Sequence, residues 1–181
     1  MKSIYLIILL FSISVYSQTQ YPKNFFSNPV GFKIAIAGTF GELRSNHFHS
    51  GIDIKTKQKI NLPIYAAQDG YVSRIKVSSF GFGKAVYITH NNGFTTVYAH
   101  LEKFNDVIQN ITEKKQYEIE SFEIDFALKE NEIPVTNRQI IGYSGNTGSS
   151  TAPHLHFEIR ETKTQEIINP MLFGLPILDR T

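Results

Sequence analysis

Histidine and carboxylate side chains recur in this 181-residue chain at spacings that could hold a metal ion. The segment HFHSGIDIK places His49 and Asp53 four residues apart. If the segment is extended, these two side chains share one face, while Ile52 and Ile54 point to the other. An imidazole and a carboxylate on one face can both bind a divalent metal, although this spacing alone is a weak signal.

A second segment, HLHFEIR, displays histidines from one face of a predicted strand. His154, His156 and Glu158 share that face because side chains alternate along a strand. The residues of the opposite face are apolar: Leu155, Phe157 and Ile159. We therefore expect a strand that packs one side in the core and presents its histidines on the other.

A third segment, TTVYAHL, is predicted to be a strand and carries His100 near its end. Strict alternation puts Thr96, Tyr98 and His100 on one face of this strand. The residues predicted for the other face are Val97, Ala99 and Leu101. From this pattern we expect Tyr98 to form an aromatic wall of a cleft, with a hydrogen bond to a developing oxyanion as the alternative.

The chain contains no cysteine, which excludes disulfides, thiolate metal sites and cysteine nucleophiles. A metal must therefore be held by imidazole and carboxylate groups, and imidazole favours zinc over magnesium. Two imidazoles and one carboxylate match a catalytic zinc site, in which three protein ligands leave one position for water or substrate.

In chain order, the motifs HFHSGID, VYAHL and SGNTGSSTAPHLHFEIR resemble the lysostaphin-like, LytM-type zinc metallopeptidases of the bacterial cell wall. The resemblance runs from about residue 31 to residue 174. It implies that His49, Asp53 and His156 bind one zinc ion per chain. It also implies that His100 and His154 stand beside the metal as catalytic histidines.

Amide hydrolysis needs a group that moves a proton from water to the leaving nitrogen and a donor for the developing oxyanion. His100 and His154 are the candidates for both roles, and the sequence leaves open which one acts as the base. We expect His47 and His90, which match no motif, to lie at the surface or to support other residues. Arg44 and Asn46 precede the first motif, and we expect loop contacts there, with substrate contact as the alternative.

The elements that must position these residues are mostly strands. Two β-type segments flank Asn92-Gly93, a strong signal for a hairpin. Gly-rich stretches at residues 80–83 and 142–153 interrupt the strands, and neither has the pattern of a phosphate-binding loop. We predict a mainly β protein, a compact antiparallel β sandwich or open barrel with a short helical insertion.

Residues 102–132 form an acidic insertion, with nine acidic and four basic residues and hence a net charge of −5. Four apolar residues at i, i+3, i+4 and i+7 predict an amphipathic helix within it: Phe104, Val107, Ile108 and Ile111. Alternation over residues 122–128 predicts a strand. We expect the insertion to cover one side of the sheet, with a wall or lid beside a cleft as the alternative.

The N-terminus is typical of a secretory signal peptide over residues 1–17. Lys2 precedes an apolar run of about 13 residues, which is shorter than the roughly 20 needed to span a membrane. We predict a lead-in at residues 18–30, the peptidase domain at 31–174 and a C-terminal tail at 175–181. The mature protein is expected to be exported, periplasmic or extracellular, with no membrane anchor after signal removal.

The net charge of +2 is too small for a dedicated nucleic-acid-binding domain. The resemblance to LytM-type peptidases, together with the predicted signal peptide, implies an exported zinc endopeptidase whose partner is peptidoglycan, not nucleic acid. One alternative is a non-hydrolytic or autoinhibited LytM-type module that regulates other wall hydrolases. A second is a zinc peptidase that acts on secreted proteins.

Overall fold

The computed structural model describes residues 20–178. The predicted signal peptide, residues 1–17, lies outside the described residues, as do the last three residues of the predicted tail. Among residues 20–178, no helix has both the length and the apolar character required to cross a bilayer.

Antiparallel strands dominate the fold, which confirms the mainly β prediction. The strands are β1 (Ile36–Gly38), β2 (Ile52–Lys55), β3 (Pro63–Tyr65), β4 (Gly70–Val77), β5 (Lys84–Thr89), β6 (Phe94–Phe104), β7 (Ile124–Ala127), β8 (Pro134–Val135), β9 (Ile140–Ser144), β10 (His154–Glu161) and β11 (Ile167–Ile168). One α-helix, α1 (Asp106–Glu118), and one 3₁₀ helix (Pro170–Phe173) complete the elements described between residues 20 and 178.

The strands form a single sheet whose main path runs β1-β2-β10-β6-β5-β4-β7. Every pairing between these strands is antiparallel, and within the described part of the chain the path does not close into a barrel. The long strand β6 pairs with β10 and β5 and then, near its end, with β9. Strand β10 lies between β2 and β6, so the three motifs of the sequence lie on or next to three adjacent strands.

The hydrophobic core lies against one face of this sheet. Apolar side chains from the adjacent strands β2 and β10 are fully buried there, as their alternation predicts: Ile52, Ile54, Leu155, Phe157 and Ile159. The described part of the predicted lead-in joins the same core, since the Phe26 ring packs against Phe173 with ring centroids 5.3 Å apart. The opposite face of the sheet carries a smaller cluster of buried residues: Ala85, Tyr87, Val97 and Ala99.

The acidic insertion contains the predicted helix and strand. The side chain of Asn105 caps α1 by accepting a hydrogen bond from the Ile108 amide, 2.9 Å away. Ile108 is fully buried in the core, whereas Val107 is exposed. Strand β7 adds to the sheet beside β4, where Arg74 and Asp125 form a two-point ion pair at 2.6 Å. The insertion therefore packs against the core and extends one edge of the sheet.

Candidate metal centre

Three side chains from the first and last motifs meet on the sheet face opposite the core. Nε2 of His49, Oδ1 of Asp53 and Nδ1 of His156 each lie 3.0 Å from the other two. His156 and Asp53 are direct partners in the β10–β2 pairing, and His49 comes just before β2. All three residues are buried. The alternation predicted for both segments therefore brings this group together.

Hydrogen bonds at the other ring nitrogens point the lone pairs of both histidines into the cluster. Nδ1 of His49 donates to the carbonyl oxygen of Thr39 at 2.8 Å, which leaves Nε2 as the acceptor of the neutral ring. Nε2 of His156 donates to Glu158 Oε1 at 2.9 Å, which leaves Nδ1 as the acceptor. A neighbour of this kind at the far nitrogen is typical of histidines that bind metals.

Asp53 is held as an anion by the groups around it. Its Oδ2 atom accepts a hydrogen bond of 2.8 Å from Nη2 of Arg44, so Oδ1 is the oxygen turned toward the histidines. Burial raises the pKa of Asp53, but in the metal-free site the rings of His154, His156 and His49, when they carry a proton on the facing nitrogen, can donate to this carboxylate and lower the pKa more, so that it lies well below its usual value. The expected loop contact of Arg44 is thus a contact with the site itself.

The donor set fits a metal ion. Ligand atoms bound about 2.0–2.1 Å from a tetrahedral zinc lie about 3.3 Å apart, close to the separations in this cluster. Three inward-facing lone pairs, one of them on a carboxylate, repel one another unless a cation lies between them. Burial lowers the pKa of His156, yet Asp53 and Glu158 raise it more, and the net shift is upward. A proton and a metal ion therefore compete for Nδ1.

The two remaining motif histidines lie beside this cluster. The ring centroids of His100 and His154 are 4.7 Å apart, and those of His100 and His156 are 5.8 Å apart. Nε2 of His154 lies 3.4 Å from Asp53 Oδ1. Burial, followed by the positive charge that His154 can carry, lowers the pKa of His100 to about 4.

A β-bulge brings His100 to the sheet face that carries His49, Asp53 and His156. Between the paired positions Lys84/Leu101 and Val86/Tyr98, strand β5 has one residue and β6 has two. His100 is one of the two and has a φ of 60°, in the left-handed region. Its side chain therefore departs from strict alternation.

The two Gly-rich loops hold His100 in place through their backbones. The His100 amide donates to the Phe82 carbonyl at 2.9 Å, and Nδ1 of the ring donates to the Thr147 carbonyl at 2.8 Å. The loops interlock, since a Cβ atom on Gly148 would lie 2.3 Å from the Gly83 nitrogen. The residue pattern predicts these loops but not their contacts with His100. Those contacts are made by backbone carbonyl groups, which every residue type carries.

Two expectations about nearby residues are wrong. Tyr98 lies fully buried on the core face, where its ring packs against Phe157 and its hydroxyl accepts from the Ala67 amide at 2.8 Å. It forms no wall of the cleft. For His90 the expected surface position is wrong, since it is buried, whereas the alternative of supporting other residues fits the bond from its Nδ1 to the Asp69 carbonyl at 2.8 Å. His47 is exposed, as expected, and bonds to Asn46.

The model of peptidase family M23 matches residues 47–170, a span that contains His49, Asp53, His100, His154 and His156. The DD-carboxypeptidase/endopeptidase Mpg of Neisseria meningitidis is 31% identical over 155 residues, covering 86% of this chain and 28% of that protein. The peptidoglycan DD-endopeptidase ShyA of Vibrio cholerae is 32% identical over 132 residues, covering 71% of this chain and 25% of that protein.

Solved structures include a similar domain. The catalytic domain of the antimicrobial peptidase lysostaphin from Staphylococcus simulans superposes with a TM-score of 0.54 and 27% identity. The superposition covers 80% of this chain and 90% of that domain. By contrast, the chain spans only about a quarter of the length of the curated relatives it matches.

Proposed function

The chain belongs to peptidase family M23, and from this premise we propose that it is an exported, zinc-dependent endopeptidase that hydrolyses amide bonds in the peptide stems or cross-links of peptidoglycan. The observation that carries the proposal is the cluster of His49 Nε2, Asp53 Oδ1 and His156 Nδ1, each 3.0 Å from the other two. In the proposal these atoms bind one zinc ion per chain.

Zinc held by these residues would supply Lewis acidity, which polarises a scissile carbonyl and lowers the pKa of water. The protein must also move a proton from the attacking water to the leaving nitrogen. His100 and His154 are suited to this because Nδ1 of each bonds a backbone carbonyl, those of Thr147 and Ala152, at 2.8 Å. Nε2 of each ring is then the atom available to accept or donate.

The two histidines act as a pair in this proposal. Their rings are close enough that one can accept a proton from water while the other donates to the developing oxyanion. The low pKa of His100, about 4, keeps its ring neutral near pH 7, so that it can accept a proton. Arg44 keeps Asp53 ionised and oriented but is not itself placed among the zinc ligands.

Three observations support the cell wall as the substrate and export as the route. The relatives are named for action on peptidoglycan or as a DD-carboxypeptidase/endopeptidase, and residues 1–17 have the pattern of a signal peptide. Outside residues 102–132, the chain has a net charge of +7, or +6 once Lys2 is removed with the signal peptide. This charge favours encounter with an anionic polymer by long-range attraction.

Zinc content and substrate hydrolysis, measured on the same preparations, test the proposal. Native protein, His156→Ala and His47→Ala are compared, because His47 is an exposed histidine outside the cluster and serves as the matched control. Zinc is measured by mass spectrometry, and hydrolysis is measured as soluble muropeptides released from purified peptidoglycan and as cleavage of casein.

One zinc per chain, with chelator-sensitive muropeptide release that His156→Ala abolishes and His47→Ala retains, would support the proposal. Zinc binding with cleavage of casein alone would indicate a peptidase of secreted proteins. Zinc binding without either activity would indicate a regulatory or autoinhibited module. A native chain that binds no zinc would refute the metallopeptidase assignment.

A further inference from the structure

Glu158 is a carboxylate with no exposed surface, two residues beyond the proposed ligand His156 on strand β10. Its Oε1 atom accepts hydrogen bonds from His156 Nε2, 2.9 Å away, and from the hydroxyl of Ser50. Its Oε2 atom accepts from Nε of Arg160 at 2.6 Å. A buried charge is costly unless it is paired and hydrogen-bonded, so this group needs the full set of partners that it has.

The three partners of Glu158 come from two segments of the chain. His156 and Arg160 lie on its own strand, β10, and Ser50 lies in the segment before β2. Ser50 directly follows His49, so its bond to Glu158 ties the segment of one proposed ligand to the strand of another. Arg160 lies on the same face of β10 and supplies the compensating charge. The packing between these segments is tight, since a Cβ atom on Gly51 would lie 2.3 Å from the Phe157 carbonyl oxygen.

We propose that Glu158, held by Ser50 and Arg160, is a positioning residue that fixes the His156 ring with its proton on Nε2 and its Nδ1 lone pair directed at Asp53 and His49. The inference rests on the proposed function, in which His156 binds the metal through Nδ1. A neutral imidazole can carry its proton on either nitrogen, and a proton on Nδ1 would occupy the atom required for the metal. An acceptor fixed 2.9 Å from Nε2 disfavours that alternative, against Asp53 Oδ1, which faces Nδ1 at 3.0 Å.

The proposal accounts for the orientation of the ring as well as its tautomer. The His156 ring lies between His49, at a centroid distance of 4.8 Å, and Phe82, at 5.2 Å. These contacts restrain the plane of the ring but do not distinguish its two nitrogens. The bond to Glu158 distinguishes the two nitrogens. If the His156 ring were turned by half a rotation, it would present a carbon atom, not an N–H group, to the buried carboxylate.

Zinc affinity provides the first test. The dissociation constant is measured by competition with a chromophoric chelator for native protein, Glu158→Gln, Glu158→Ala and Ser50→Ala. Glu161→Gln is the matched control, because it removes the same charge from the same strand at a carboxylate that accepts hydrogen bonds from the nearby Thr164 and lies outside the cluster. We expect binding weakened about 10–100-fold in Glu158→Ala, less in Glu158→Gln, a few-fold in Ser50→Ala and not at all in Glu161→Gln.

The tautomer of His156 provides the second test and does not depend on zinc. Long-range ¹H–¹⁵N correlation spectra of the zinc-free proteins, recorded at a pH where the ring is neutral, distinguish a proton on Nε2 from one on Nδ1. We expect the Nε2–H form to predominate in the native protein and in Glu161→Gln, and the Nδ1–H form, with Asp53 as its acceptor, to predominate in Glu158→Ala. Ser50→Ala, which keeps the carboxylate, covers the case in which the Glu158 variants do not fold.

These outcomes separate the inference from the function on which it rests. A native chain without zinc affinity refutes the proposed function, and the tautomer spectra then decide the role of Glu158. Unchanged affinity and an unchanged tautomer in folded Glu158 variants would overturn the inference while leaving the zinc peptidase intact. If only Ser50→Ala folds, a zinc affinity equal to that of the native protein would likewise overturn the inference and leave the zinc peptidase intact.

Discussion

Tyr98 and His100 lie two residues apart on strand β6 but point to opposite faces of the sheet. Tyr98 packs in the core against Phe157, whereas the His100 ring lies 4.7 Å from that of His154 on the metal-binding face. Residue 100 reaches that face because it occupies a bulge with a φ of 60°. The backbone strain in this strand is therefore located at a proposed catalytic side chain.

This strain can be measured by replacing His100 with residues that differ only in their backbone preference. A left-handed conformation costs an L-residue about 1–2 kcal/mol, and glycine avoids this cost. We therefore expect His100→Gly to exceed His100→Ala in free energy of unfolding by about 1 kcal/mol. Urea denaturation of the two zinc-free variants measures the difference. Equal stabilities would mean that residue 100 relaxes out of the left-handed region.

Metal binding and proton transfer are assigned to different histidines, so variants should separate them. We expect His49→Ala to lose zinc and activity together, because Nε2 of His49 belongs to the cluster. We expect His100→Ala to retain zinc but to hydrolyse peptidoglycan about 10²–10⁴-fold more slowly, the usual contribution of a general acid or base. Zinc content and muropeptide release measure both effects. Loss of zinc from folded His100→Ala would contradict the assignment.

We predict that activity depends on glycine at position 148, because only glycine readily adopts the backbone conformation found there. Its φ is 72°, and a Cβ atom there would meet the nitrogen of Gly83, so Gly148→Ala must push apart the loops that bond His100. We expect slower hydrolysis, by at least tenfold, with zinc retained, because a small misplacement of a reacting group is costly. Muropeptide release and zinc content are the measurements.

The control for this substitution is Gly93→Ala in the β5–β6 hairpin. Gly93 has a φ of 84°, but a Cβ atom there would have nothing within 4 Å. This variant carries a similar backbone cost without displacing the Gly-rich loops. Similar activity losses in the two variants would assign the effect to general destabilisation.

Alternation predicts correctly which side chains share a face where the strands are regular. Along β10, Leu155, Phe157 and Ile159 are buried in the core, and His156 and Glu158 point away from it. The same argument places Asp53 on this face of β2 but does not cover His49, which precedes the strand. It depends only on the period of two in side-chain direction, which an undistorted strand obeys.

Alternation fails at Tyr98 because the bulge is not visible in residue type. A left-handed residue in a strand is usually signalled by glycine, but here the residue is His100 itself. The acceptors that orient His100, the carbonyls of Phe82 and Thr147, belong to the backbone and are equally hidden. Alternation also places Glu158 and Arg160 on the face of His156. The contact between Glu158 and Ser50 is visible only in the structure, because the two residues are far apart in sequence.

His90 illustrates a buried histidine with a role in stability. Its Nδ1 bonds the Asp69 carbonyl and its Nε2 lies 2.8 Å from the Thr96 hydroxyl, on the core side of the sheet. The Phe26 ring packs against it with centroids 5.2 Å apart. Burial lowers the pKa of His90 to about 4, and its hydrogen bond to the Asp69 carbonyl offsets this only in part.

The low pKa of His90 predicts a loss of stability in mild acid. The unfolded chain binds a proton at this residue below about pH 6.5, whereas the folded chain does so only near pH 4, so unfolding is favoured as the pH falls through this range. The loss amounts to about 3 kcal/mol when complete. We expect the stability of His90→Gln, relative to the native protein, to rise by about this amount between pH 7 and pH 4. Urea denaturation of both proteins with excess chelator measures it, since zinc release then plays no part. A difference between the two proteins that stays constant with pH would show that His90 titrates alike in the folded and unfolded chains.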